Sequence, residues 1–370
     1  MNQRGKRPLK KLLLFFLMAT LFLTGCNRND DESKNRPNPD KEVTGALGED
    51  PDVLVTNLQA PWSIQKNGNT MYVSERTGTI VEWDKNKMTR QKVNLKKTLS
   101  AKAEAGLLGF LLAPDFSKSG QAFAYYTYEE GGDSINRIVI LEKSDDIWQE
   151  MGTLIDGIPS GDFHHGGRIK IGPDDKLYAA TGDARKSEIA QDIESLGGKI
   201  LRLNLDGTIP KDNPFGNSYV YSYGHRNPQG LAWDESGQLY ESEHGDSAHD
   251  ELNKIDPGKN YGWPDIQGDE QKPDMVKPLI HSGENTWAPS GMAYFDGKLY
   301  FAALRGEALK SYDVKSGKLT NIITGSGRIR DVFVDEEYIY FISNNTDGRG
   351  NPGEKDDKLY RLSLSRLNMP

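Results

Sequence analysis

Residues 175–178 read Asp-Lys-Leu-Tyr, a turn running into a strand with an internal tyrosine, and the phrase returns along the chain. It recurs as Gly237-Gln238-Leu239-Tyr240, Gly297-Lys298-Leu299-Tyr300 and Glu337-Tyr338-Ile339-Tyr340. Looser forms are Asn69-Thr70-Met71-Tyr72-Val73 and Gln121-Ala122-Phe123-Ala124-Tyr125-Tyr126. The tyrosines at 72, 126, 178, 240, 300 and 340 are 54, 52, 62, 60 and 40 residues apart. Repeats of this size, each a handful of strands, have the spacing of propeller blades. Six occurrences predict an all-β, six-bladed β-propeller. A further strand often follows, as in Thr79–Asp84 and in Lys199–Gly207, which ends in an Asp-Gly pair suited to a tight hairpin. No stretch after residue 50 has the apolar period of a long amphipathic helix, and 39 glycines with 16 tyrosines favour short strands and tight turns. A β-sandwich or two small β domains is the alternative. No linker-like change of composition falls between 53 and 370, so one closed domain over 53–370 is expected.

The N-terminal segment has a different character. Residues 1–25 carry five basic residues and no acidic one, and Leu12–Leu23 is an apolar run of twelve, short for a membrane-spanning helix. This reads as a secretory signal over 1–25. Leu23-Thr24-Gly25-Cys26 resembles a bacterial lipobox, in which the cysteine is lipidated and becomes the mature N-terminus. Cys26 is the sole cysteine, which also rules out a disulfide framework and a cysteine metal site. Residues 26–52, charged and poor in large apolar residues, read as a lipidated cysteine and flexible tether. The expected location is therefore outside the cytoplasm, anchored to the membrane through Cys26. The whole chain has 46 basic and 54 acidic residues, and without residues 1–25 the balance is 41 to 54, a charge of −13. A surface that acidic repels phosphate backbones and argues against a nucleic-acid partner.

In a propeller, loops from blades far apart in sequence converge on the axis, so a ligand site should appear as polar motifs at blade spacing. Such motifs are present. They are Glu104–Gly109 (EAGLLG), Phe163–Arg168 (FHHGGR), Tyr223–Gly230 (YGHRNPQG), Ser242–Glu251 (SEHGDSAHDE), Thr286–Gly291 (TWAPSG), Leu304-Arg305-Gly306 and Gly327–Asp331 (GRIRD). Each is weak alone, because glycine can merely supply a turn. Together they hold five of the six histidines and several arginines.

At three of these places the residues become specific. His164-His165-Gly166-Gly167-Arg168, Gly224–Gly230 and Asn260-Tyr261-Gly262-Trp263-Pro264 resemble the soluble sugar dehydrogenases that use pyrroloquinoline quinone, the glucose/sorbosone dehydrogenase family. Lys199-Ile200-Leu201-Arg202 and Asp212-Asn213-Pro214-Phe215 fit the same pattern, and the motifs run in order over roughly 53–365. The aldose sugar dehydrogenase branch is the nearest in pattern. The resemblance implies a six-bladed propeller that oxidises the anomeric C1 hydroxyl of an aldose to a lactone. It also implies an electron acceptor, which no motif identifies.

That reaction needs a neutral base near pH 7, and histidine suits it. His164 matches the family's catalytic histidine. If both sit on a strand, His164 and His165 point to opposite faces. The quinone carries three carboxylates, and guanidinium forks suit carboxylates. The resemblance puts Arg226 near the quinone carbonyl, with Asn227 as a second contact and Arg305, Arg328 and Arg330 on the carboxylates. It implies a calcium ion held by carbonyls at Gly245 and Asp246, and a second, structural calcium at Glu251 and Tyr261. Calcium takes such oxygen ligands readily.

Three departures from the family pattern stand out. Glu104 occupies a cofactor-binding glutamine position and would repel carboxylates unless an arginine pairs with it. Phe163 replaces an aspartate seen in some members. The tryptophan that covers the quinone in one branch has no position-matched partner, with Trp287 only nearby. Two other readings stay open at this stage. One is a calcium-dependent lactonase or esterase propeller, using His244, Asp246, His249 and Asp250 as a metal cluster. The other is a non-catalytic surface propeller that binds a glycan or a protein.

Overall fold

The computed structural model describes residues 43–44 and 50–367. The expected signal segment 1–25 and Cys26 lie outside the described residues. Among the described residues the protein is almost entirely β, in short strands bounded by Gly, Asp and Asn turns.

Antiparallel four-stranded runs follow one another along the chain. The first is Pro61–Asn67, Thr70–Glu75, Thr79–Asp84 and Lys87–Asn94. The next is Leu107–Leu112, Gln121–Glu130, Asp133–Ser144 and Ile147–Pro159. Ile147–Pro159 also pairs in parallel with Lys87–Asn94, which fuses these two runs into an eight-stranded sheet. Then come the sheets that begin with Ile169–Ile171, Pro228–Trp233 and Pro289–Phe295. The last sheet contains Ile329–Val334, Tyr338–Ser343 and Leu359–Ser363, and its fourth strand is Asp52–Val55 from the other end of the chain. Sewing Asp52–Val55 into the last sheet joins the two ends of the domain. The tyrosines at 72, 126, 178, 240, 300 and 340 each lie on the second strand of a run and are buried. The repeat legible in the sequence is therefore the second strand of each run, buried along most of its length on a pleated surface that favours aromatic and β-branched residues.

The first strands carry the inner contacts. Pro61–Asn67 packs against both Leu107–Leu112 and Ile329–Val334, and Pro289–Phe295 packs against both Pro228–Trp233 and Ile329–Val334. This is a β-propeller, with apolar clusters filling the space between successive sheets. One ion pair ties the inner strands together. Arg168 lies 3.0 Å from Asp331, donates from Nε to the Gln229 carbonyl at 2.8 Å, and stacks its guanidinium 4.2 Å from the Trp62 ring centre. Asp331 also accepts from the Ile64 amide at 2.8 Å. Four sheets thus meet at one buried pair, where removal of either partner strands a charge at a cost of about 3–5 kcal/mol. Gly291 is required beside it, because a Cβ there would stand 1.6 Å from an Asp331 oxygen.

Topology also fixes where a site can form. Within each run the second strand is antiparallel to the first, so the start of the first strand and the end of the second share one face. Loops entering first strands and loops leaving second strands therefore converge there.

Candidate active site

A cavity of about 530 Å³ opens on that face. Its walls come from the loops just named. Glu104, Phe163, His164, Arg226, Ala288 and Arg328 precede first strands, while Arg76, Arg185, Asp246, Arg305 and Arg349 follow second strands. Seven arginines line it (Arg76, Arg185, Arg226, Arg305, Arg328, Arg330, Arg349) against four carboxylates (Glu104, Asp246, Asp250, Asp347). On a chain that is acidic overall, the cavity is a local concentration of positive charge.

His164 faces this cavity with its Nδ1 2.7 Å from an Asp183 oxygen. Asp183 is buried, and it is held in turn by the Trp263 indole N–H at 2.8 Å and the Arg185 backbone N–H at 2.8 Å. A carboxylate cannot donate, so the proton on His164 sits on Nδ1 and Nε2 is left as a basic lone pair. Strand alternation is not what separates His164 from His165. The separation has another cause: His164 lies in a loop at φ 61°, a left-handed turn ahead of the strand Ile169–Ile171. His165 is buried on Ser160 Oγ at 2.8 Å, and burial pushes its imidazole down to about 4.

Several of the remaining cavity residues form charge pairs. Arg226 lies 3.1 Å from the Asp246 carboxylate and donates to the His244 and Asp246 carbonyls at 3.3 and 3.4 Å, with its guanidinium 5.3 Å from the Trp263 ring centre. Arg328 donates to Asp347 at 2.9 Å, and Arg330 lies 3.6 Å from the same carboxylate. Burial pulls Arg330 down to about 9 although Asp347 opposes the shift. Burial works in turn against the charge on Asp347, but Arg330 and Arg328 hold it below the usual carboxylate range. Asn227 is buried with its Oδ1 accepting from the Gly166 amide at 3.1 Å, which leaves its amide nitrogen to offer. Two buried donor or acceptor atoms at the cavity, Arg226 Nε and His244 Nε2, have no hydrogen-bond partner among the described residues.

The departures noted in the sequence acquire physical meaning here. Glu104 is paired, with Arg349 2.6 Å away. Burial opposes its charge, but Arg349 and the neighbouring cations hold its carboxyl below the ordinary range. Phe163 lies between two guanidiniums, with Arg349 5.1 Å and Arg185 5.5 Å from its ring centre. Trp287 is buried in the core against Phe301 and does not line the cavity.

The acidic segment 246–251 divides. Only Asp246 is exposed at the cavity. Asp250 is buried and consumed by the amides of Gly245, Trp287 and Ala288 and the Thr286 hydroxyl, so it pins two loops together. Glu251 and Tyr261 line a separate cleft of about 10 Å³, room for one water or small ion. The Tyr261 hydroxyl is engaged with the Lys254 carbonyl and the Asp256 amide. Glu251 joins Glu241, Glu243 and His225 in a buried group in which the Asn253 amide reaches all three carboxylates, with the Gly268 N–H donating to Glu251 and the Arg226 N–H to Glu243. Burial and its like-charged neighbour Glu243 push Glu251 up to about 8, and Glu241 moves in the same direction. The set His244, Asp246, His249 and Asp250 is not assembled for a metal: His249 turns toward Glu284 and stacks on His281, and Asp250 is spent on amides.

Asp183, buried behind His164, and the cavity residues Arg76, Arg185, Asp347 and Arg349 are not singled out by the sequence motifs. They share one position, the polar loop after the tyrosine-bearing second strand (Glu75-Arg76, Thr181-Gly182-Asp183-Ala184-Arg185, Thr346-Asp347-Gly348-Arg349). Applying the blade period to that position finds them.

Comparison with known proteins places this geometry. The glucose/sorbosone dehydrogenase family profile matches residues 58–361. The chain is 35% identical over 253 residues to quinoprotein glucose dehydrogenase B of Acinetobacter calcoaceticus, a match covering 59% of this chain and 53% of that protein. It is 30% identical over 336 residues to the aldose sugar dehydrogenase YliI of Escherichia coli, covering 80% of this chain and 90% of the relative. Among solved structures, the PQQ-bound aldose sugar dehydrogenase of Streptomyces coelicolor superposes with a TM-score of 0.80 at 37% identity, over 84% of this chain and 96% of that one.

Proposed function

We propose, from the premise that this chain belongs to the glucose/sorbosone dehydrogenase family, that it oxidises the C1 hydroxyl of aldose sugars to lactones with pyrroloquinoline quinone as acceptor. When bound, the quinone supplies an electrophile that takes the two electrons of the C1–H bond as hydride. The donor set fits it: a flat tri-carboxylate suits a cavity with seven arginines against four carboxylates, and Arg226, Asn227, Arg305, Arg328 and Arg330 would hold it. Buried cations aimed at one place also stabilise negative charge that develops there.

The chain's own chemistry is the proton. His164 Nε2 accepts the proton of the C1 hydroxyl, and Asp183 keeps the imidazole in the tautomer that can do so and stabilises it once charged. Trp263 and the Arg185 amide fix Asp183 in turn. This carboxylate-oriented imidazole facing an arginine-rich cavity is the observation that carries the reading. For calcium, the Asp246 carbonyl and carboxylate with the Gly245 loop offer hard oxygen donors at the cavity wall, and Glu251 with Tyr261 line the smaller cleft. We read the fold as six blades, counting the eight-stranded sheet as two, and the N-terminal segment as a lipoprotein signal that anchors the domain outside the cytoplasm through Cys26. The sole cysteine, the basic start and the apolar run support that placement.

The test is reconstitution of the purified chain with the quinone and calcium. Adding an aldose should reduce the bound quinone, seen by absorbance, and bleach an artificial dye acceptor. Binding of the quinone with no reduction by any of a panel of aldoses would sink the reading.

A further inference from the structure

Three cavity arginines stand outside the quinone set: Arg76 donates to the Ala103 and Ala105 carbonyls, Arg349 holds Glu104, and Arg185 remains. Arg185 is exposed and sits two residues after Asp183, on the loop that orients the base. No carboxylate lies within 4.0 Å of it among the described residues, so its guanidinium donors are free for a ligand. Its one ring contact is Phe163, the neighbour of His164, and Arg349 lies on that same ring. Arg349 is half exposed and already holds Glu104. Around the outer side of the base the protein thus offers an aromatic surface flanked by two guanidiniums, one of them uncommitted.

We infer that Arg185, beside Phe163, is a specificity-determining residue that recognises an anionic group on the aldose, remote from C1; the inference rests on the oxidation reading above. An aldose whose C1 hydroxyl meets His164 Nε2 extends its other substituents toward the mouth. A carboxylate or phosphate on such a substituent suits a planar guanidinium. A neutral sugar gains nothing from Arg185, whereas an anionic one gains a charge-assisted hydrogen bond. The contact is exposed, so salt weakens it.

The test separates binding from turnover. Methyl β-D-glucuronide and methyl β-D-glucoside are blocked at C1, and their affinities for the quinone- and calcium-loaded chain are compared by calorimetry. The glucuronide should bind about tenfold tighter at low salt, with the advantage shrinking at high salt. Arg185→Gln should erase the difference and Arg185→Lys should keep much of it. In turnover, glucuronate and glucose 6-phosphate should exceed glucose in kcat/KM, and Arg185→Gln should bring that ratio toward one through KM rather than kcat. The better of the two identifies the anion as carboxylate or phosphate. Equal affinity for the two glycosides, or a preference that survives Arg185→Gln, would overturn the inference. If no aldose is oxidised but the glucuronide still binds through Arg185, the oxidation reading fails and the anion subsite stands.

Discussion

His164 and Asp183 lie 2.7 Å apart, nineteen residues from one another in sequence, with the imidazole facing the cavity and the carboxylate buried behind it. The pair fixes the tautomer. Asp183→Asn would present an N–H to Nδ1, which places the histidine proton on Nε2 and removes the base. Turnover should fall by about 10²–10⁴-fold, while quinone affinity stays within about twofold. A pH–rate profile checks the cause, because the acidic limb, where a general base loses turnover by protonation, should shift or vanish. An Asp183→Asn variant with near-normal kcat would refute the assignment.

The Glu104–Arg349 pair predicts a conditional effect. With Arg349 removed, Glu104 becomes an unpaired carboxylate beside a polyanionic cofactor. Arg349→Ala should weaken quinone binding by about tenfold, and Glu104→Gln in the same chain should restore most of it. Equilibrium titration of the four proteins in the cycle measures the coupling. Additive effects would show that the pair is incidental.

Acid should destabilise the domain through its buried histidines. The ordinary histidine value of 6.5 falls to about 4 for His165 and about 3 for His244, in both cases chiefly by burial. Between those values and 6.5 the unfolded chain binds protons that the folded chain does not. The stabilisation is therefore complete above about pH 6.5 and drains away as pH falls toward 4 and then 3. Thermal melts against pH should show this loss, and His165→Asn should flatten the part between 6.5 and about 4 relative to its own value at pH 7. An unchanged slope in that variant would contradict the assignment.

Removing divalent cations should expose a strain of opposite sign. Glu251 rises from an ordinary 4.5 to about 8, so the folded chain binds the extra proton in that interval. Without a metal ion, stability from this group is full at low pH and is lost as pH rises toward 8. In chelator, Tm should fall between about pH 5 and 8, and Glu241→Gln, which removes one of three buried carboxylates, should lessen the fall by several degrees. Calcium should flatten the same curve in the unmodified chain. Melts that are identical with and without chelator would exclude this group as a cation-dependent element.

The sequence made the architecture legible because a propeller repeats a local rule. The six spaced tyrosines all fall on second strands, where one buried face selects the same residue type in every run. It did not reveal the fusion of two runs into an eight-stranded sheet, or Asp52–Val55 joining Leu359–Ser363, because pairing between distant strands leaves no local pattern. The site was legible where motifs hold several unusual residues together, as at His164 and Arg226. Asp183 and Arg349 stand in loops whose composition is ordinary for solvent-exposed turns. Their meaning comes from neighbours contributed by other sheets, His164 and Trp263 for one, Glu104 and Phe163 for the other. Burial was equally hidden: Asp250 reads as solvated acid and is instead a staple for three backbone amides.

The central claim is that His164 takes the proton from the sugar in a cavity whose arginines hold the quinone. Its most direct test is one turnover of the reconstituted His164→Gln variant, followed by absorbance of the bound quinone. The account expects quinone affinity close to that of the unmodified chain and reduction by aldose slowed at least about a thousandfold. Reduction at an undiminished rate, with the quinone bound and the imidazole gone, would contradict it.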